Sequence, residues 1–261
     1  METPRPAPAS SRCGADNGPI LAVRDLSMDF GGLRAVSSVS FRVDEGEIVG
    51  IIGPNGAGKT TLFALLSGFL RPTGGEIRFL GKSTAGLRPD RLCHLGIART
   101  FQVVRPFPEM TVFENVKAAA VYGKQGRRPA AQVRQEVAEI LDSTGLAPAA
   151  DQPARSLSLP QRKRLEVART LATHPEILLL DEVLAGLNPR EVQEAIPFLR
   201  SLNAVRGITI LMIEHNMRAI MGISHRVLVL NFGQLIFDGT PDTAVKDPDV
   251  VRAYLGERTD A

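Results

Sequence analysis

The segment GPNGAGKTT at residues 53–61 constrains this chain more than any other stretch. It fits the spacing Gly-x4-Gly-Lys-Ser/Thr. It also stands between an apolar run, EIVGIIG, and a stretch whose residues Leu62, Phe63, Leu65, Leu66 and Phe69 recur at helical spacing. Strand, glycine-rich loop and helix in that order predict a cradle for phosphate. The glycines let backbone N–H groups wrap an anion, and the helix N-terminus favours negative charge. The expected contacts with a nucleoside triphosphate are Gly53, Asn55, Gly56, Ala57, Gly58, Lys59, Thr60 and Thr61. Lys59 is expected to reach the β- and γ-phosphates, and Thr60 to ligate Mg2+. The plain alternative, a glycine-rich turn that happens to precede a helix, is disfavoured by that context.

The remainder of the chain alternates strands and helices, which implies an α/β core with a mainly parallel sheet. ILAVRDLSMDF and VSSVSFRV read as strands, with Val39, Phe41 and Val43 alternating, and EIRFLGK returns as a strand after the PTGG turn. From about residue 88 to 165 the pattern becomes helical, as in a subdomain inserted into the core. Val133, Val137, Ile140 and Leu141 share one face, and Gly145 closes that helix. EILLLDE is a buried strand. Asn188 caps a helix with Pro189 at its first position, and Pro197 is expected to kink it. GITILMIEH is a further strand, and RVLVLNFGQLIFDGTP reads as a hairpin.

EILLLDE supplies the acids a phosphate loop needs. Asp181, at the strand end, is placed to hold Mg2+ directly or through water, and Glu182 is the better general base for an attacking water. Taken alone, a strand ending in two acids is often only a loop cap. The basic cluster Arg162, Lys163 and Arg164 in LSLPQRKRLEVAR leaves three readings open: a nucleic-acid patch, a solvated helix face, or half of a nucleotide site. Leu165, Ala168, Leu171 and Ala172 form an apolar stripe opposite it, as an ordinary solvated helix would. A net charge of only +3, and aromatics at 5% with no interleaved basic stripe, argue against nucleic acid. No N-K-x-D segment is present to read guanine. Cys13 and Cys93 give neither a disulfide framework nor a zinc pattern. Residues 1–18 lack the apolar run of a signal peptide and are expected to be a disordered tail. No apolar stretch reaches the roughly 18 residues needed to span a bilayer.

GPNGAGKTT, the glutamine of RTFQ, LS…Q, LLLDE, AGLNP and the histidine of IEH occur in an order that resembles the ABC transporter ATPases over residues 20–256. GGLRAV, MTVFENV, IEHNM and the tail GTPDTAVKDPDVVRAYLGE are most similar to the LivG type of branched-chain amino acid importers. The resemblance implies a P-loop NTPase (ABC ATPase) core with an antiparallel β subdomain and an inserted helical subdomain. That domain would span 19–256, followed by a short tail at 257–261. The implied cofactors are ATP and Mg2+. By the same resemblance Phe30 stacks on adenine; a core strand residue is the lesser alternative. Gln102 senses Mg2+ and the attacking water, His215 contacts the γ-phosphate, and the loop at Asn188 crosses a dimer interface. Ser158 and Gln161 belong to the signature that binds nucleotide held by an opposite subunit. The implied partners are transmembrane permease subunits, a second ATPase subunit and, indirectly, an extracytoplasmic solute-binding protein, with the chain peripheral on the cytoplasmic face of the membrane. An ATPase of lipid or lipopolysaccharide extraction, or a soluble ABC ATPase, is the alternative.

Two departures stand out. Where the signature has two glycines, this chain has Leu159 and Pro160. Proline suits a first helical turn but has no N–H, and one hydrogen bond lost from a charged group amounts to about 1.5–3 kcal/mol. Val183 stands where the family often has proline after the glutamate, and a small effect is expected.

Overall fold

In the computed structural model, which describes residues 18–100, 106–126 and 128–255, the alternating N-terminal runs form two long antiparallel strands. β1 (Leu21–Phe30) and β2 (Leu33–Val43) bury Leu21, Val23, Leu26, Val36, Val39 and Val43. β3 (Ile48–Ile52) is buried at every position, as a strand covered on both faces must be. It feeds the loop at 53–58 into α1 (Lys59–Leu66). That helix stops short of Phe69, which its apolar spacing would include. Gly68 takes φ 72, the left-handed conformation that ends helices, and Phe69 is left exposed. β4 (Gly74–Phe79) then pairs with the free edge of β1, and β5 (Lys82–Ser83) completes a sheet ordered β2-β1-β4-β5.

The stretch expected to be helical from about residue 88 begins with α2 (Pro89–Leu95), but β6 (Ile97–Arg99) then returns to the core sheet. α3 (Val112–Tyr122) and α4 (Ala130–Ser143) follow. α5 (Leu159–Leu171) continues past residue 165. Val133, Val137, Ile140 and Leu141 are all buried, and Gly145 sits at φ 69 beyond the end of α4. β7 (Ile177–Asp181) leads to α6 (Pro189–Arg206), where the Asn188 side chain accepts from the N–H groups of Arg190 and Glu191. α6 remains helical on both sides of Pro197, the residue expected to kink it. The chain closes with β8 (Thr209–Ile213), α7 (Met217–Ile223), β9 (Arg226–Asn231), β10 (Gln234–Gly239), α8 (Pro241–Ala244) and α9 (Pro248–Leu255).

The larger sheet has the order β10-β9-β3-β8-β7-β6, parallel throughout except for the edge strand β10. Alternate residues of its central strands serve different cores. Val49, Ile51, Leu179, Leu211 and Ile213 pack towards α1 and the antiparallel sheet, while Ile48, Ile52, Leu178, Leu180, Ile210 and Met212 pack towards the helices. Ile51 pairs with Ile213, and Ile213 with Asp181. The C-terminal ends of β3, β8 and β7 therefore lie side by side, the position where open α/β sheets bind ligands. Among the described residues, no helix is long and apolar enough to cross a membrane. Residues 1–17, 101–105, 127 and 256–261, including both expected tails apart from Gly18, lie outside the described residues.

Candidate functional site

The loop between β3 and α1 needs its glycines. Gly53, Gly56 and Gly58 have φ of 151, 79 and 99, and Gly58 is the left-handed residue that caps α1. A Cβ on Gly58 would stand 2.5 Å from the Ala35 carbonyl oxygen, so the β1–β2 hairpin is packed directly against the loop. Asn55, Gly56, Ala57, Gly58, Lys59, Thr60 and Thr61 line one cleft together with Phe30, Glu182 and His215. The buried Lys59 ammonium reaches back over the loop, donating to the carbonyl oxygens of Gly53 at 2.7 Å and Pro54 at 2.8 Å. Burial lowers its pKa, and the negative charge of Glu182 opposes that shift. Phe30 is 46% exposed at the end of β1, so it is not the core residue its strand position also allowed.

Glu182 follows β7 at φ 51, a conformation that costs a residue with a Cβ about 1–3 kcal/mol and is characteristic of functional positions. Its N–H donates to the Ile213 carbonyl at 2.9 Å, and its Oε1 lies 2.9 Å from His215 Nε2. Residues 33 apart in sequence are thus joined at the mouth of the phosphate loop. Asp181 is buried, and its Oδ2 accepts from Arg99 at 2.7 Å in a nearly enclosed ion pair. Arg99 also donates to Ser67 at 3.1 Å and lies over the rings of Phe63 and Phe69. Among the described residues no cluster of three or more His, Cys, Asp or Glu side chains forms a metal cage. Mg2+ does not require one, because it is commonly held by one or two protein oxygens plus waters and substrate phosphates. The exposed hydroxyl of Thr60, which lines the cleft, fits that donor set; the Asp181 carboxylate is of the right chemistry but is buried, paired with Arg99 and not among the lining residues.

Ser158 and Gln161 are not among the residues lining this cleft. They form the first turn of α5, where Gln161 Oε1 accepts from both the N–H and the hydroxyl of Ser158, each at 3.0 Å. Pro160 fits the first turn as its φ preference requires. The side chain of Leu159 lies against Gly186 of the AGLNP loop, within 3.2 Å of where a Cβ would be. The basic cluster is a solvated face only in part, since Arg162 is exposed and Arg164 half-buried while Lys163 is not exposed. Lys163 is buried and donates to the Glu182 carbonyl at 3.0 Å, Arg162 donates to the carbonyls of Leu157 and Arg155, and Arg164 pairs with Glu194 at 3.9 Å.

Gln102 lies outside the described residues. Three residues of consequence were not legible as site residues. Arg99, one residue before the Thr-Phe-Gln of RTFQ, holds Asp181 across 82 positions. Phe232 is 86% exposed and lines the cleft from the β9–β10 turn, with φ 44 beside Gly233 at φ 78. The Asn-Phe-Gly sequence was a signal for that turn. Glu214 is buried beside His215, and its Oε1 accepts from the Leu184 N–H at 2.7 Å.

Burial pushes the Glu214 carboxyl up to about 7, partly opposed by the Leu184 N–H and the Lys163 charge. Its folded pKa is therefore above the unfolded one, so the folded chain binds more protons between about pH 4.5 and 7. Stability falls as pH rises through that window, by about 3 kcal/mol from this group alone. Glu214→Gln keeps the acceptor and removes the titration. It is expected to be more stable than wild type at pH 8, with the difference vanishing towards pH 5. Urea unfolding at four pH values checks this, and a pH-independent difference would refute it.

Comparison with known proteins agrees with this geometry. The ABC transporter family profile matches residues 36–185, and the profile described as branched-chain amino acid ATP-binding cassette transporter matches residues 234–260. The chain is 45% identical over 251 residues to the high-affinity branched-chain amino acid transport ATP-binding protein LivG of Salmonella typhimurium, covering 92% of this chain and 98% of that protein. It is 42% identical over the same length and coverage to BraF of Pseudomonas aeruginosa, which carries the same description. The crystal structure of the ADP conformation of MJ1267, an ATP-binding cassette of an ABC transporter, superposes with a TM-score of 0.82 at 33% identity, covering 91% of this chain and 99% of that one. With the phosphate loop, the acid-ended β7 and the paired histidine in the arrangement described, this chain belongs to the ABC transporter ATP-binding family, whose nucleotide-binding ATPases couple ATP hydrolysis to transport.

Proposed function

We propose that this chain is an ATPase subunit of an importer for branched-chain amino acids or similar small polar solutes, peripheral on the cytoplasmic face of the membrane. The likeness of its last strand and C-terminal helices to branched-chain cassettes carries the importer reading. Its partners are transmembrane permease subunits, which a solute-binding protein supplies from outside, and a second ATPase subunit.

At the nucleotide site, Phe30 stacks on adenine, and the loop N–H groups with Lys59 bind the phosphates. Thr60 and Asp181 hold Mg2+, which when bound neutralises phosphate charge. Gln102 contacts the ion and the attacking water and links the site to the permease. Glu182 takes a proton from that water, and His215, 2.9 Å from it, orients the carboxylate and contacts the γ-phosphate. Ser158 and Gln161 serve the nucleotide bound by the partner. In the closed dimer the first turn of α5 and the Asn188 loop face that partner.

Light scattering on the Glu182→Gln chain with and without Mg-ATP tests the assembly. An ATP-dependent dimer supports two copies, whereas a monomer that binds ATP points to a different second ATPase chain. Loss of labelled leucine uptake on deleting the gene tests the cargo, and unchanged uptake would refute that assignment. Pro160→Gly restores one phosphate-facing N–H and is expected to lower the ATP concentration for dimer formation about ten-fold. An unchanged midpoint would mean that residue 160 does not reach the phosphate.

A further inference from the structure

Glu182 adopts a left-handed backbone, which a residue bearing a Cβ keeps only when its surroundings over-determine it. Within the turn it begins, the Ala185 N–H donates to the Glu182 carbonyl at 3.1 Å, and three further hydrogen bonds tie the turn to other segments. Its N–H donates to Ile213, and the Leu184 N–H donates to Glu214, so both tie the turn to β8 and the segment following it. The third comes from elsewhere. Lys163, buried on α5, donates its ammonium to the Glu182 carbonyl at 3.0 Å. Lys163 stands five residues after Ser158 on one rigid helix, about 7.5 Å along its axis. On the roles proposed above, the two ends of this strut serve different nucleotides: Ser158 that of the partner, Glu182 that of this chain.

We propose that Lys163 is a positioning residue that couples the two nucleotide sites, setting the backbone of Glu182 according to the position of the signature helix. A shift of α5 as Ser158 engages the partner's phosphate moves the Lys163 ammonium, and with it the carbonyl that fixes the aim of Glu182. The inference rests on Glu182 as the base and Ser158 as the contact in trans. It adds a defined link between them within one subunit.

The test uses the full chain in its ATP-driven dimer, with Lys163→Met, Lys163→Arg and Glu182→Gln compared for turnover, ATP affinity and melting temperature. Lys163→Met is expected to lower kcat between about ten- and a hundred-fold with KM within about two-fold, the signature of misplaced chemistry and not of lost binding. Lys163→Arg, which keeps an N–H donor on a long stem, is expected to recover kcat to within about three-fold of wild type. If Lys163→Met does not fold, Lys163→Leu, which also lacks a donor, is read in its place by the same criteria. Retained turnover in Glu182→Gln would overturn the base assignment and this inference with it. Lost turnover in Glu182→Gln with kcat unchanged in Lys163→Met would overturn the coupling alone. Equal losses in the Met and Arg variants would also overturn it.

Discussion

Glu182→Gln is expected to lower ATP turnover by about 10²–10⁴-fold, the range for removing a positioned general base, while ATP still binds. Glutamine has the shape of glutamate and keeps an oxygen to meet His215 Nε2, now 2.9 Å from Oε1. The φ of 51 at this position is a backbone property that the substitution leaves alone. What disappears is the ability to take a proton. Lys59 also loses a negative neighbour that opposes its desolvation, so its pKa moves further down. Its two carbonyl acceptors, Gly53 and Pro54, remain. Steady-state ATPase assays beside binding of a fluorescent ATP analogue check both halves. A fall in turnover smaller than five-fold would remove Glu182 from the role of base.

Gly53→Ala is expected to be as severe, by a different route. At φ 151 a Cβ on residue 53 would sit 2.1 Å from the carbonyl oxygen of Leu230 and 3.2 Å from the Cβ of Ala57. Leu230 belongs to β9, which pairs with β3 in the middle of the larger sheet, so the obstruction is backbone and no rotamer change relieves it. Either the start of the phosphate loop moves or the sheet does. Loss of about 3 kcal/mol or more in unfolding free energy is expected, together with loss of measurable ATP binding. Gly56→Ala is the control, because residue 56 also has a positive φ, 79, but nothing lies within 4 Å of its Cβ position. It is expected to cost about 1–2 kcal/mol, from the left-handed backbone alone. Equal destabilisation of the two variants in urea titrations would show that the contact with Leu230 is relieved elsewhere.

Local pattern was a good guide wherever one element met one demand. Three successive buried strands, β3, β7 and β8, are apolar at nearly every position because helices or a second sheet cover both faces. Asn188 and Pro189 start α6 as cap and first-turn proline do in any context. The pattern failed at Phe69, where periodicity ran on past a glycine able to stop the helix. It failed again at Lys163, in a run of charges that reads as a solvated face. An amphipathic stripe shows which side of a helix is apolar but not how far the neighbours extend around it. Here the turn after β7 covers the flank of α5 and buries the ammonium against a carbonyl.

The sequence by itself determined the phosphate loop, the two acids at the strand end, the start of α6 and the α/β class, because each depends on residues adjacent in the chain or spaced by one turn or one strand. Only the tertiary structure decided that Arg99 holds Asp181, that Phe30 and Phe232 line one cleft, and that Lys163 and Glu214 secure the turn begun by Glu182. The physical reason is distance along the chain. The environment that sets the exposure, partner and charge state of these side chains is supplied by segments 19 to more than 200 residues away, and no local spacing records which segment will arrive.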